Sequence, residues 1–283
     1  MKIKISADST CDLPQEIIDR YNIGISPLYV VRDGESLRDG VEIVPDELYA
    51  HVRQTGRLCS TAAVSLGDYM DSFGEYLKEY DAVIHFTISS SMSACYQNAC
   101  LARQSLGRIY PVDTESLSAG IGLLVIRAAE LAEEGCGAQE IVDVVEEMKK
   151  RIDGSFIIET LEYLYKGGRC SAVAALGANL LRLRPCIELS DGKMDVGKKY
   201  RGAIEKCIPR YIADRLSDGA FDRRRAIVVD SGIDPAVRAA ALEQVRSSGL
   251  FDEVLWSRAG CTISSHCGPN TLGLMLVSQS RKA

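Results

Sequence analysis

Apolar and polar positions alternate through the first half of the chain in a strand-then-helix rhythm. Residues 2–7 read as a strand that ends at Asp8-Ser9-Thr10, and Pro14 opens a helix reaching about residue 21. A second apolar strand is expected over 24–31, a charged loop over 33–42 and a short helix over 45–54. Residues 58–64 are small and semi-polar, and Thr61 falls there in a turn ahead of a helix. Ser65 with Asp68 resembles a capping box for a helix over 69–80. The apolar run 82–86 then enters Ser89-Ser90-Ser91. Beyond it Met92, Cys95, Tyr96, Ala99 and Cys100 share one helical face, which puts Ser93 in the cap and first turn. A buried strand at 109–112, the polar turn 113–116 and helices over 117–132 and 138–151 complete this half.

Strands alternating with helices predict an open parallel sheet with helices on both faces. Ligands bind such sheets at the carboxyl ends of the strands, so the turns 8–10, 89–93 and 113–116 share one functional rim. The second half differs. Strands are expected at 155–160, 225–230, 253–257 and 272–277, and a hairpin pairs 186–189 with 194–199 around Asp191-Gly192. Helices are expected at 172–181, 203–216 and 234–247, with a turn at His266-Cys267-Gly268-Pro269. The fold class is therefore α/β. An N-terminal domain, 1–153, is built on a parallel sheet, and a C-terminal domain, 154–283, on a mixed one.

Composition narrows the function. A chain of 283 residues, 46% hydrophobic and 25% charged, buries a sizeable core, and its length suits about two domains. Net charge is −6, which argues against general nucleic-acid binding. Residues 1–153 carry 25 Asp and Glu against 14 Lys and Arg, a balance of −11; residues 154–283 carry 14 against 19, a balance of +5. No run is long enough to cross a membrane and the start lacks a signal-peptide pattern, so a cytoplasmic protein without stable membrane insertion is expected. The ten cysteines include no CxxC pair and no zinc spacing, and no metal or cofactor is expected. No nucleotide-binding GxxxxGK[ST] or GxGxxG pattern occurs.

The candidate chemistry is that of an acidic ligand. Hydroxyls at a helix N-terminus, as at Ser93, suit a carboxylate or phosphate, and equally describe an ordinary capped helix. His266 can serve as acid, base or donor, or be a plain turn residue. Arg169 follows Gly167-Gly168 at a turn, with Arg182, Arg184, Lys198, Lys199 and Arg201 nearby in sequence. These cations suit an anion, or form a solvated basic face.

Several motifs in order resemble the DegV family of bacterial fatty-acid-binding proteins over essentially the whole chain. They are Asp8-Ser9-Thr10-Cys11-Asp12-Leu13, the stretch from Ser89 to Gln97 against the family's SSGLSGTYQ, and Val112-Asp113-Thr114 with Gly120 and Gly122. The run from Glu159 to Leu164, Lys166-Gly167-Gly168-Arg169, 198–202 and the His266 turn complete them. The resemblance implies two α/β domains with a lipid between them, the fatty-acid carboxylate held by Thr61 and Ser93. Arg169, Arg201 and His266 correspond to residues at the head group or a partner contact. It further implies no catalytic residue, a long-chain fatty acid such as palmitate as ligand rather than a cofactor, and a separate fatty acid kinase that converts the bound acid to acyl-phosphate, in lipid transport or fatty acid metabolism. The family's TSQPS reads Thr61-Ala62-Ala63-Val64-Ser65 here, and two glycines of SSGLSGT are Ser91 and Ala94. The alternatives are a hydrolase with Ser93 as nucleophile and His266 as base, for which no GxSxG elbow exists, and a regulatory protein that senses a lipid.

Overall fold

Every residue of the strand Ala82–Thr87 is buried, as the centre of a parallel sheet requires. In the computed structural model, which describes residues 1–174, 183–217 and 220–280, this strand is β6 of thirteen strands among the described residues. The N-terminal half holds β1 (Ile3–Asp8), β2 (Gly24–Ser26), β3 (Tyr29–Arg32), β4 (Glu35–Arg38), β5 (Ser60–Ala62), β6 and β7 (Ile109–Asp113). The C-terminal half holds β8 (Ile152–Ile157), β9 (Leu183–Ser190), β10 (Lys193–Arg201), β11 (Arg225–Asp230), β12 (Glu253–Arg258) and β13 (Leu272–Val277).

The first sheet has the order β2-β1-β6-β7 with all pairs parallel. The polar segments after β1, β6 and β7 therefore leave from one edge, as the alternation predicts. The second sheet is mixed, in the order β10-β9-β8-β13-β11-β12, with only β11 and β12 parallel. The expected boundary between residues 153 and 154 falls inside β8. The helix Ala119–Glu133 joins the two sheets. Eleven of its 15 residues are buried, and it packs on β1 and β6 on one side and on β8, β11 and β13 on the other. A helix apolar all round is one covered all round. One core cluster consequently runs from Ile5 and Ile84 through Leu124 to Ile187 and Met275.

The structure corrects the sequence reading in four places. The single strand expected over 24–31 is two strands in different sheets, because Pro27 has no N–H to continue a ladder. The loop expected over 33–42 is half hairpin: Asp33 and Gly34 take φ of +54° and +90°, and β4 returns antiparallel on β3. Thr61 lies in β5, paired to Val30, rather than in a turn. The turn expected at His266 begins two residues later, because Cys261–Cys267 is helical. The capping box of Ser65 and Asp68 forms as expected, with Asp68 N–H donating to Ser65 Oγ at 3.1 Å. The hairpin at Asp191-Gly192 forms too. A further correction concerns Ser93: the helix after β6 is capped at Ala94 and starts at Cys95, so Met92 and Ser93 stand in the turn before it rather than in its cap and first turn. Most of the helix expected over 172–181, and Arg182, lie outside the described residues. No helix among the described residues is long and apolar enough to cross a membrane.

Candidate functional site

At the carboxyl edge of the parallel sheet a cavity of about 780 Å³, its open mouth included, lies between the two halves. Leu117, Phe156, Met194, Val229 and Met275 form part of an extensively apolar lining. Thr61, Ser93, Arg169 and His266 all line the same cavity, although they come from four separate stretches of chain. Arg201 does not: it is exposed on the edge strand β10, opposite Leu183.

Thr61 and His266 touch directly, with Thr61 Oγ1 2.9 Å from His266 Nε2. His266 Nδ1 is buried without a hydrogen-bond partner among the described residues. It faces Gly167, where an added Cβ would stand 2.3 Å from it. A bare lone pair in that position costs less than an N–H with no acceptor. The proton therefore belongs on Nε2, which donates to Thr61 Oγ1, and the Thr61 O–H is left to donate into the cavity. Burial, and then the Arg169 charge, bring His266 down to about 4, so the ring is neutral near pH 7.

Ser93 is held by its own neighbourhood. Its N–H donates to the Ser89 carbonyl at 3.2 Å, and its Oγ donates to Cys95 Sγ at 3.2 Å and accepts from the Cys95 N–H at 3.4 Å. Burial, with the Asp8 charge adding to it, pushes the Cys95 thiol up to about 12, so it stays protonated. Behind it lies a sealed polar string. Ser6 Oγ is 2.9 Å from His85 Nδ1, His85 Nε2 is 3.2 Å from Asp8 Oδ1, and the Tyr69 hydroxyl donates to Asp8 Oδ1. Ser6, Asp8, Tyr69 and His85 are fully buried. Ser93 bonds to Cys95 behind the cavity and His266 to Thr61 within it, so among the described residues no hydrogen bond pairs Ser93 with His266 as nucleophile and base.

The cations differ in setting. Arg169 is exposed at the cavity and donates to the Gly167 carbonyl at 2.8 Å. Deeper in the wall, Asp230 accepts the Gly232 N–H at 2.7 Å and the indole N–H of Trp256 at 2.7 Å, and Arg238 stacks over the Trp256 ring at 4.3 Å.

The family model described as "Uncharacterised protein, DegV family" matches residues 2–279. The chain belongs to the DegV family. A DegV domain-containing protein of Caldanaerobacter subterraneus subsp. tengcongensis is 34% identical over 276 residues, covering 96% of this chain and 98% of that protein. The fatty acid-binding protein of Thermotoga maritima is 33% identical over 293 residues, covering 100% of both. Among solved structures, a DegV family protein from Thermus thermophilus, described for its fatty acid binding, superposes with a TM-score of 0.91 at 35% identity, over 98% of this chain and 100% of that one. The two-domain α/β architecture is thus that of solved DegV structures.

In this DegV chain Thr262, Ser118, Asp230 and Ser231 also line the cavity, and the sequence reading had not singled them out. Ser118 carries a faint local signal, a hydroxyl just ahead of a long apolar helix; its backbone takes φ +53°. The others sit in strand or helix ends whose ordinary polar composition offers no signal.

Proposed function

We propose that this chain binds a long-chain fatty acid in the cavity between its two halves, with the carboxylate held by the Thr61 and Ser93 hydroxyls and the acyl chain laid against the apolar wall. The observation that carries this reading is the convergence of Thr61, Ser93, Arg169 and His266 on one apolar-lined cavity. The named binding activity of the Thermotoga maritima and Thermus thermophilus relatives supports it. The physics is favourable. Each buried CH₂ contributes roughly 0.8 kcal/mol, so a ~16-carbon chain contributes on the order of 10 kcal/mol before ordering costs. A carboxylate held by two hydroxyls is stabilised by charge-assisted hydrogen bonds, the Ser93 hydroxyl turning its single hydrogen from Cys95 Sγ to the ligand. In this reading Arg169 and His266 lie beside the head group and the exposed Arg201 faces a partner. That partner is a separate kinase, to which the chain presents the acid for conversion to acyl-phosphate; this chain is the carrier, not the catalyst.

Native mass spectrometry of the purified chain, with identification of what denaturation releases, tests the binding. One fatty acid per chain is expected; a chain that is empty and refuses added palmitate overturns the reading. Ser93→Ala is expected to lose about 1–3 kcal/mol of fatty-acid affinity. Unchanged affinity in a displacement titration removes Ser93 from the site. Hydroxylamine trapping of acyl-phosphate, with and without an added fatty acid kinase and ATP, tests the carrier role.

A further inference from the structure

The helix Cys261–Cys267 carries His266 and three more residues of the cavity wall, Thr262, Ile263 and Cys267. Its own sequence gives it no side-chain cap, because the cap position is Gly260. Its first N–H groups are taken up by two carboxylates from the other half of the molecule. Gly260 N–H donates to Asp12 Oδ1 at 2.8 Å, Cys261 N–H to Asp39 Oδ1 at 2.8 Å and Thr262 N–H to Asp39 Oδ2 at 3.0 Å. Ser118 Oγ also donates to Asp12, and Ser9 Oγ donates to Asp39 at 3.2 Å. A Cβ at residue 260 would stand 3.2 Å from Asp12 Oδ1 and 3.3 Å from Asp39 Oδ1, so a larger residue there would press on both carboxylates.

Asp12 and Asp39 are 5% and 3% exposed, and neither has a cationic partner among the described residues. The partial positive charge of the helix N-terminus and its free donors compensate them. Two buried acids are an inefficient way to gain stability, since apolar packing does as well. What they do fix is position. The helix is fastened to the half that carries Thr61, on donors that have no other partner.

We infer that Asp12 and Asp39 are positioning residues that clamp the His266 helix across the two halves and so hold His266 Nε2 against Thr61 Oγ1. The ligand part of this inference rests on the fatty-acid reading; the alignment of His266 with Thr61 is a property of the free protein. Burial pushes the Asp12 carboxyl up to about 8, with the Ser118 and Gly260 donors opposing it and the Asp39 charge adding to it. When Asp12 is protonated, the Ser118 hydroxyl turns to accept from the Asp12 O–H instead of donating to it, and the other oxygen still accepts the Gly260 N–H. An asparagine at position 12 reproduces that pattern. An asparagine at position 39 does not, because two backbone N–H groups then face one acceptor and one NH₂.

The test uses the full chain and the variants Asp39→Asn, Asp12→Ala and Asp12→Asn. The first readout is the ¹⁵N shift of the His266 side chain without ligand. The second is the ratio of affinities for palmitate and methyl palmitate. Asp39→Asn and Asp12→Ala are expected to move the His266 shift and to cut the preference for acid over ester by roughly tenfold, with ester binding changed less than about twofold. Asp12→Asn is expected to match the unmodified chain in both. An unmoved shift with an unchanged ratio in Asp12→Ala overturns the clamp, as does equal weakening of acid and ester. Should Asp39→Asn fail to fold, the two Asp12 variants decide the question. Failure of the unmodified chain to take up palmitate sinks the fatty-acid reading instead, and the His266 shift still decides the clamp.

Discussion

Ser93 and His266 face the same cavity and are held there by opposite means. Ser93 is fixed by residues two to four positions away, through Ser89 and Cys95. His266 is fixed by its contact with Thr61, 205 positions away, and its helix by carboxylates 222 to 248 positions away. One wall of the site is thus a product of local chain geometry. The other exists only once the two halves have met, and perturbations should separate the two walls.

The largest expected effect is on the remote wall. His266 is held near 4, below its ordinary 6.5, so between those values the unfolded chain takes up a proton that the folded chain refuses. The contribution to stability is complete above about pH 6.5 and is lost as pH falls toward 4, on the order of 2–3 kcal/mol. Denaturant curves of lipid-free protein at pH 7.5 and 4.5, set beside His266→Gln, measure it; parallel pH dependence in the two proteins would refute it. Next comes Gly167→Ala. Its added Cβ would meet His266 Nδ1 at 2.3 Å and force the ring off Thr61. A cost of about 1–3 kcal/mol is expected in unfolding experiments, together with weaker binding of acid but not of ester. The smallest is on the local side. Ser65→Ala removes the cap of the helix Leu66–Glu79 and should cost about 1 kcal/mol while leaving the His266 shift unmoved. A Ser65 variant that disturbs His266 would erase the distinction between the walls.

The same distinction governs how much the sequence discloses. The centre of the parallel sheet is legible because β1, β6 and β7 and the helices that follow them announce themselves within a dozen residues, down to the Ser65 capping box and the polar turn at Ser93. The strand of Thr61 is three residues, Ser60–Ala62, made of small side chains, and its partner β3 is set by the Asp33-Gly34 turn 27 residues or more upstream. The helix of His266 is seven residues with no cap residue of its own, because Asp39 and Asp12 supply the cap from afar. Period and capping rules look for both signals locally and find neither. Residue chemistry grouped Ser93 and His266 with nearby cations as candidates for an acidic ligand, and resemblance to the DegV motifs, not periodicity, assigned the carboxylate to Thr61 and Ser93 and the head-group side to His266. Arg201 came with them by the same route, and it lies on an exposed edge rather than in the cavity wall.

Trp256 is the only tryptophan in the chain, and its indole is bonded to a carboxylate of the cavity wall and covered by a guanidinium. The molecule therefore contains a single indole fluorophore, wired to its own site. Its emission reports on the Asp230 side of the cavity with no competing signal from other indoles, so filling and emptying can be followed optically in unlabelled protein.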